Sequence, residues 1–241
     1  MSAASKLRHK DVAGYVLHSY PYQETSLIVE MFTREFGRVA MVAKGAKRPA
    51  SALRAVLTPF HALTLDWSGR SELKTLRAAE WRRAFRLLHG RALICGFYLN
   101  ELLMKLLHRD DPHEGLFDAY EETLSALHAR ADHAAVLRHF EQRMLGELGY
   151  ALVLDRDAES GLPLTPERRY SYVVERGPVP VSGASTGVEL LGQTLIDMRE
   201  DNYTSFTTQQ QAKTLMRHLI GHYLGHAQLH SRQLLIDLQD L

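Results

Sequence analysis

Apolar and polar residues alternate with a period of two from Val12 to about Arg77, and the period then lengthens to the helical one. Strand residues of equal parity share a face. The alternation therefore predicts strands at Val12–Ser19, Ser26–Thr33, Arg38–Ala43, Phe60–Trp67 and Leu73–Arg77. Gly37 and Ser68-Gly69 stand where tight turns must join neighbouring strands. Five short strands in about 70 residues predict a five-stranded, partly open Greek-key barrel, the OB-fold.

After Trp81 the pattern is helical. Ala92–His108 is Leu-rich and apolar nearly all round, which predicts a central buried helix ended by Asp110-Asp111-Pro112. Glu114–Ala129 and Ala134–Leu148 follow with helical spacing. In the second, Leu137, Phe140, Met144 and Leu148 form one apolar stripe, and Gly149 is a C-terminal stop. Residues 150–184 hold Gly161, Pro163, Pro166, Gly177, Pro178, Pro180 and Gly183, with a short strand predicted at Tyr170–Glu175. This reads as a small irregular or β insert. Helices resume at Gly187–Met198 and from Thr208 to about Asp237. The expected fold class is α+β: an OB-fold barrel over residues 1–81, then a helical domain over 82–241 with the insert at 150–184.

Charge sharpens the picture. The net charge is only +1, but residues 1–80 carry 12 Lys/Arg against 7 Asp/Glu, and residues 81–241 carry 17 against 21. A basic first part on a mildly acidic remainder suggests a nucleic-acid-facing module on a packing or partner-facing body. Parity puts Val39, Met41 and Ala43 on one side of the third strand and Arg38, Ala40, Val42 and Lys44 on the other. The cationic side runs on into a small, basic, flexible segment, Lys44-Gly45-Ala46-Lys47-Arg48-Pro49-Ala50-Ser51. Such a surface suits a polyanion better than a small substrate, because each phosphate neutralised by Lys or Arg releases condensed counterions. Barrels that bind single strands also use aromatic platforms. Tyr20, Tyr22, Phe32, Phe36 and Phe60 are available, although such rings also fill small-barrel cores.

Catalytic signatures are missing. The chain has no phosphate loop, no G-x-G-x-x-G and no H-E-x-x-H. The single cysteine, Cys95, lies in an apolar helical pattern and reads as core. One cysteine permits no disulfide within the chain, and with no signal-peptide core and no long apolar run the expected compartment is the cytoplasm. His218, His222, His226 and His230 recur every four residues. On a helix such a ladder could serve a metal, an anion together with Arg217 and Arg232, or simply a polar flank beside Leu215, Leu219 and Tyr223. Arg138, in Leu137-Arg138-His139-Phe140-Glu141, flanks an apolar helical stripe. An Arg beside an apolar groove can clamp a carboxylate, but taken alone it reads more readily as a solvated helix residue.

Several stretches together resemble the RecO family of bacterial recombination mediators. They are Val16-Leu17-His18-Ser19, Glu24-Thr25-Ser26-Leu27, Gly37-Arg38-Val39, Val42-Ala43-Lys44-Gly45-Ala46, Leu57-Thr58-Pro59-Phe60 and Glu72-Leu73-Lys74-Thr75-Leu76. The likeness continues through Tyr98-Leu99-Asn100-Glu101-Leu102-Leu103, Leu137-Arg138-His139-Phe140-Glu141 and Leu148-Gly149-Tyr150 to Tyr223-Leu224-Gly225 and Ser231-Arg232. It implies an N-terminal OB-fold, a helical body and a small insert. It also implies binding of single- and double-stranded DNA, annealing of complementary strands, and action with RecR to load RecA onto strands coated by single-stranded-DNA-binding protein (SSB). Gripping the acidic, Phe-ended SSB tail belongs to that role, which makes Arg138 a candidate for the tail carboxylate and Phe140 a support of the helix. Many members hold zinc on four cysteines in the insert. Residues 150–184 contain no cysteine, so the zinc-finger-like position is expected to hold no metal.

The resulting expectation is a DNA-binding mediator, not an enzyme, monomeric, cofactor-free and nucleoid-associated in the cytoplasm. Arg38, Lys44, Lys47, Arg48 and Lys74 would hold phosphates. The alternatives are an RNA-binding OB-fold protein, since the fold alone does not separate RNA from DNA, and a protein–protein adaptor with no direct DNA role.

Overall fold

The computed structural model describes residues 7–82, 87–129, 132–181, 187–225 and 227–231. The chain forms two compact units, residues 1–129 with 229–241 and residues 130–228.

The first unit is built on β1 (Arg8–Tyr22), β2 (Ser26–Thr33), β3 (Gly37–Ala43), a one-turn α1 (Ala52–Val56), β4 (Leu63–Ser68) and β5 (Leu73–Trp81). The strands close into a barrel in the order β1-β2-β3-β5-β4. Every pairing is antiparallel except β3 with β5. This is the expected OB-like barrel. Alternate residues fill it: Val12, Val16, Val29, Met31, Val39, Met41, Leu63, Leu65, Trp67 and Leu76 form one buried cluster. The parity reading of β3 thus holds on the inner side. The fourth strand starts later than expected, because Phe60 has φ +69° and sits in the turn before it. The fifth runs on to Trp81 through pairing with β4. The short α1 lay below the sequence pattern; Leu53 and Val56 pack against the barrel core.

Two helices, α2 (Gly90–Leu106) and α3 (Glu114–His128), pack on the outside of this barrel. Phe32 and Tyr15 leave the strands on that side and meet Phe117 and Tyr120 of α3 at ring separations of 5.1–5.9 Å. Asn100 Nδ2 donates to the carbonyls of Val16 and Leu17, and its own oxygen accepts from the Tyr120 hydroxyl at 2.6 Å. Burial pushes the Tyr120 phenol up, so it stays a neutral donor. The α2–α3 connection is laid onto β3. Asp110 N donates to Arg38 O at 2.9 Å, and a Cβ on Gly37 (φ +63°) would stand 1.8 Å from Asp111 O. Only glycine fits there.

The second unit holds α4 (His133–Glu147), β6 (Arg169–Val173), β7 (Gly177–Pro180), β8 (Val188–Leu191), α5 (Gly192–Arg199) and α6 (Phe206–Leu224). Leu137, Phe140 and Met144 of α4, Leu195 and Met198 of α5, and Leu215, Leu219 and Ile220 of α6 are buried. The insert is an ordered three-stranded sheet, β7-β6-β8. The helix expected over Gly187–Met198 is therefore corrected: its first residues are β8, which pairs with β6, and the helix starts at Gly192. The long helix expected to reach Asp237 ends at Leu224, where Gly225 takes φ +59°. A glycine in the left-handed region releases the chain from helical geometry. Residues 232–241 lie outside the described residues.

Candidate nucleic-acid interface

The outer face of β3 differs from the expected open cationic stripe. Ala40 and Val42 are buried, and Arg38 is only 16% exposed. Arg38 Nη1 donates to Met104 O at 2.6 Å, and its Nε stands 4.0 Å from the Glu30 carboxylate. Glu30 is 2% exposed and also pairs with Arg109, which reaches Glu72 as well. Burial lowers the Arg38 pKa, against the pull of Glu30 and with the push of Arg109. Lys74 is 13% exposed, and its Nζ holds both oxygens of Asp110 at 2.8 and 2.9 Å. Arg38 and Lys74 are thus matched within the protein and help hold the α2–α3 connection to the barrel. A carboxylate already at 2.8 Å must be displaced before a phosphate gains from that lysine.

The loop after β3 is different. Lys44, Lys47 and Arg48 are exposed and make no side-chain hydrogen bond or ion pair among the described residues. The segment is also less flexible than its composition suggests. Ala46 is fully buried in the barrel core, Lys47 N donates to Thr25 O at 2.9 Å, and Arg48 N donates to Gly45 O at 3.1 Å. A buried alanine and successive turns display three cations from a fixed base.

One cation of this surface was missed in the sequence. Val42 of β3 faces Thr75 of β5 in parallel register. Lys44 follows the end of β3, and Arg77 follows Leu76 on β5 at the point where the β4–β5 register shifts and leaves it unpaired in the ladder. Arg77 is exposed and donates through Nε to Ser68 Oγ at 2.9 Å, with no carboxylate partner among the described residues. The β4–β5 register shift that leaves Arg77 out of the ladder was not visible in the sequence.

The aromatic candidates divide by burial. Phe32 is packed under α3, Phe36 meets His9 and Trp67 edge-to-face, and Phe60 is buried against Phe97. Tyr22 is half-buried and Tyr20 is exposed.

In the second unit, Arg138 lies on α4 with Nη2 at 2.5 Å from Glu141 Oε1. Its side chain is 12% exposed, and its Nε is buried without a hydrogen-bond partner. Gln142, next to Glu141, donates to the Tyr203 hydroxyl, whose pKa is raised chiefly by burial. Arg138 is thus a semi-buried, carboxylate-paired side chain and not a solvated helix residue. The histidine ladder is not one element. His218 and His222 lie on α6, His226 lies outside the described residues, and His230 follows the helix end in the segment that belongs to the first unit. Among the described residues no cluster of three metal-ligating side chains exists, and no helix is long and apolar enough to cross a membrane.

Comparison with known proteins agrees with this architecture. The sequence model described as "Recombination protein O N terminal" matches residues 8–85, and "Recombination protein O C terminal" matches residues 87–233. The chain is 55% identical to the DNA repair protein RecO of Nitrosospira multiformis over 98% of each chain. It is 50% identical to that of Aromatoleum aromaticum over 99% of this chain and 100% of the relative. It is 45% identical to that of Thiobacillus denitrificans over 100% and 97%. With both family models covering nearly its whole length, the chain belongs to the RecO family, whose place is in DNA repair and recombination.

Proposed function

We propose that this protein is a DNA-binding recombination mediator that acts by electrostatics and not by covalent chemistry. The observation that carries this reading is the set of exposed cations Lys44, Lys47 and Arg48 in the loop after β3, joined by Arg77 on β5, all without a carboxylate partner among the described residues. They would hold phosphates of single- or double-stranded DNA and screen the repulsion between two strands, which favours annealing. Arg38 and Lys74 act in this scheme as supports of the surface through Glu30 and Asp110. On the second unit Arg138 is the proposed ligand for the carboxylate of the SSB tail, which would compete with or join its pairing to Glu141. Cooperation with RecR in loading RecA, a monomeric state and nucleoid association complete the proposal.

The test is binding of fluorescent single-stranded DNA across a salt series. The affinity should fall with a log–log slope of roughly −0.7 per phosphate contacted. Replacing Lys44, Lys47 and Arg48 by Ala should weaken binding for all sequences alike and flatten the slope by about 2. Salt-independent binding, or a triple variant that binds like the parent, would sink the account. A matched RNA oligonucleotide that outcompetes the DNA would move the reading to RNA.

A further inference from the structure

The first half of β1 points its even residues inward: Val12 and Val16 are barrel core. Continued alternation would send His18, Tyr20 and Tyr22 inward as well. It does not, because the register of β1 on β2 shifts between Val16 and His18, where Leu17 is an extra residue. A bulge of this kind reverses which face the following side chains occupy. Beyond it His18 pairs with Glu30, Tyr20 with Ile28 and Tyr22 with Ser26, on the outer face. The two carbonyls at the bulge, Val16 O and Leu17 O, accept from Asn100 Nδ2 at 3.3 and 2.9 Å. The bulge is therefore fastened by α2, and the orientation of Tyr20 is fastened with it.

Tyr20 is 43% exposed. Its ring meets His18 edge-to-face at 4.5 Å. Across the sheet the same row continues through the half-buried Ile28 to the buried Val42 and on to Thr75, so that the floor beside the ring is Ile28 and the edge of Val42. Just past Val42 and Thr75 along the chain stand two exposed cations, Lys44 after the end of β3 and Arg77 on β5. An exposed ring beside an apolar floor, bordered by unpaired cations, is what a single strand needs: a platform for an unstacked base and charge for its phosphates.

We propose that Tyr20 is the base-stacking platform of this barrel, taking one nucleobase of single-stranded nucleic acid over Ile28 and Val42 while the adjoining phosphates run over Lys44 and Arg77. The assignment rests on the nucleic-acid reading above and adds to it a preference for single strands. Bases in a duplex are already stacked on each other and have no free face for the ring, whereas phosphate contacts serve both forms.

The experiment uses the full chain with a deoxythymidine oligonucleotide, a duplex of the same length, and an oligonucleotide carrying 2-aminopurine. Tyr20→Ala should weaken single-strand binding about 5- to 100-fold. It should leave the duplex affinity and the salt slope as in the parent, and it should abolish 2-aminopurine quenching. Tyr20→Phe should behave as the parent. Tyr20→Leu keeps an apolar side chain over Ile28 and so separates stacking from folding; it should behave as Tyr20→Ala. An oligonucleotide with abasic sites should bind parent and Tyr20→Ala equally. If DNA binds with a steep salt slope and Tyr20→Ala and Tyr20→Leu match the parent on single strands, the platform assignment is wrong and the electrostatic reading stands. If the parent itself binds no DNA, both fall together.

Discussion

At Glu101 a single carboxylate closes the chain. Its oxygens accept from His230 N, Ser231 N and Ser231 Oγ at 2.6–2.9 Å, and Lys105 Nζ lies 3.1 Å away. Burial alone would raise its pKa, but the bonds from Ser231, His230 and Lys105 outweigh burial and bring it down to about 2. A folded value below the ordinary 4.5 means the charged form stabilises the fold. That contribution is complete above 4.5 and is lost as pH falls from there through about 2. Glu101→Gln should therefore cost about 2 kcal/mol at neutral pH. In urea titrations the gap between variant and parent should close as pH is lowered; a gap independent of pH would refute the assignment. Arg109 poses the opposite problem, because Glu30 is nearly inaccessible and depends on it. Arg109→Met leaves a buried carboxylate without its main partner and should destabilise by about 3–5 kcal/mol. Adding Glu30→Met should restore part of that loss, which a double-mutant cycle by thermal or urea unfolding would read.

At the scale of elements, the sheet β7-β6-β8 has to be held without metal-binding cysteines. Two tyrosine hydroxyls take on that work. Val153 N donates to the Tyr172 hydroxyl at 3.1 Å, and Thr165 N donates to the Tyr170 hydroxyl at 3.0 Å. Asp157 Oδ1 accepts from Glu159 N at 2.8 Å, and Ala158 N donates to Pro178 O at 2.7 Å. Burial pushes the Tyr172 phenol up to about 12, so it remains a neutral acceptor over the working pH range. Dialysis against a chelator should leave the melting temperature unchanged, while Tyr172→Phe should cost about 1–2 kcal/mol by stranding the Val153 amide. A melting temperature that drops with chelator would mean that a metal is bound after all. The same scale explains where pattern reading stopped. The alternation of β2 was legible from Ser26 to Thr33 because each residue has a fixed face. Val188–Leu191 was read as helix because four residues carry too little periodicity, and only β6 beside it makes it a strand.

For the whole molecule, the basic loop and Arg138 belong to different compact units. The two proposed activities should then separate by mutation. Arg138→Ala should leave DNA affinity and its salt slope unchanged and weaken a peptide of the SSB tail at least severalfold. Lys44→Ala/Lys47→Ala/Arg48→Ala should do the reverse. Fluorescence anisotropy with labelled DNA and labelled peptide measures both, and a variant that lowers the two affinities in parallel would reject the division. The sequence alone determined what depends on neighbours along the chain. The strands, the inward parity of Val39 and Met41, the amphipathic stripe of α4 and the exposed cations after β3 were all readable there, because period and composition are local properties. Tertiary structure decided what depends on partners distant in sequence. It neutralised Arg38 and Lys74 through Glu30 and Asp110, broke the histidine ladder at Gly225 and, through a bulge held by Asn100, turned Tyr20 outward. Charge pairing and strand register are set by which residues meet in space, and a linear pattern does not carry that information.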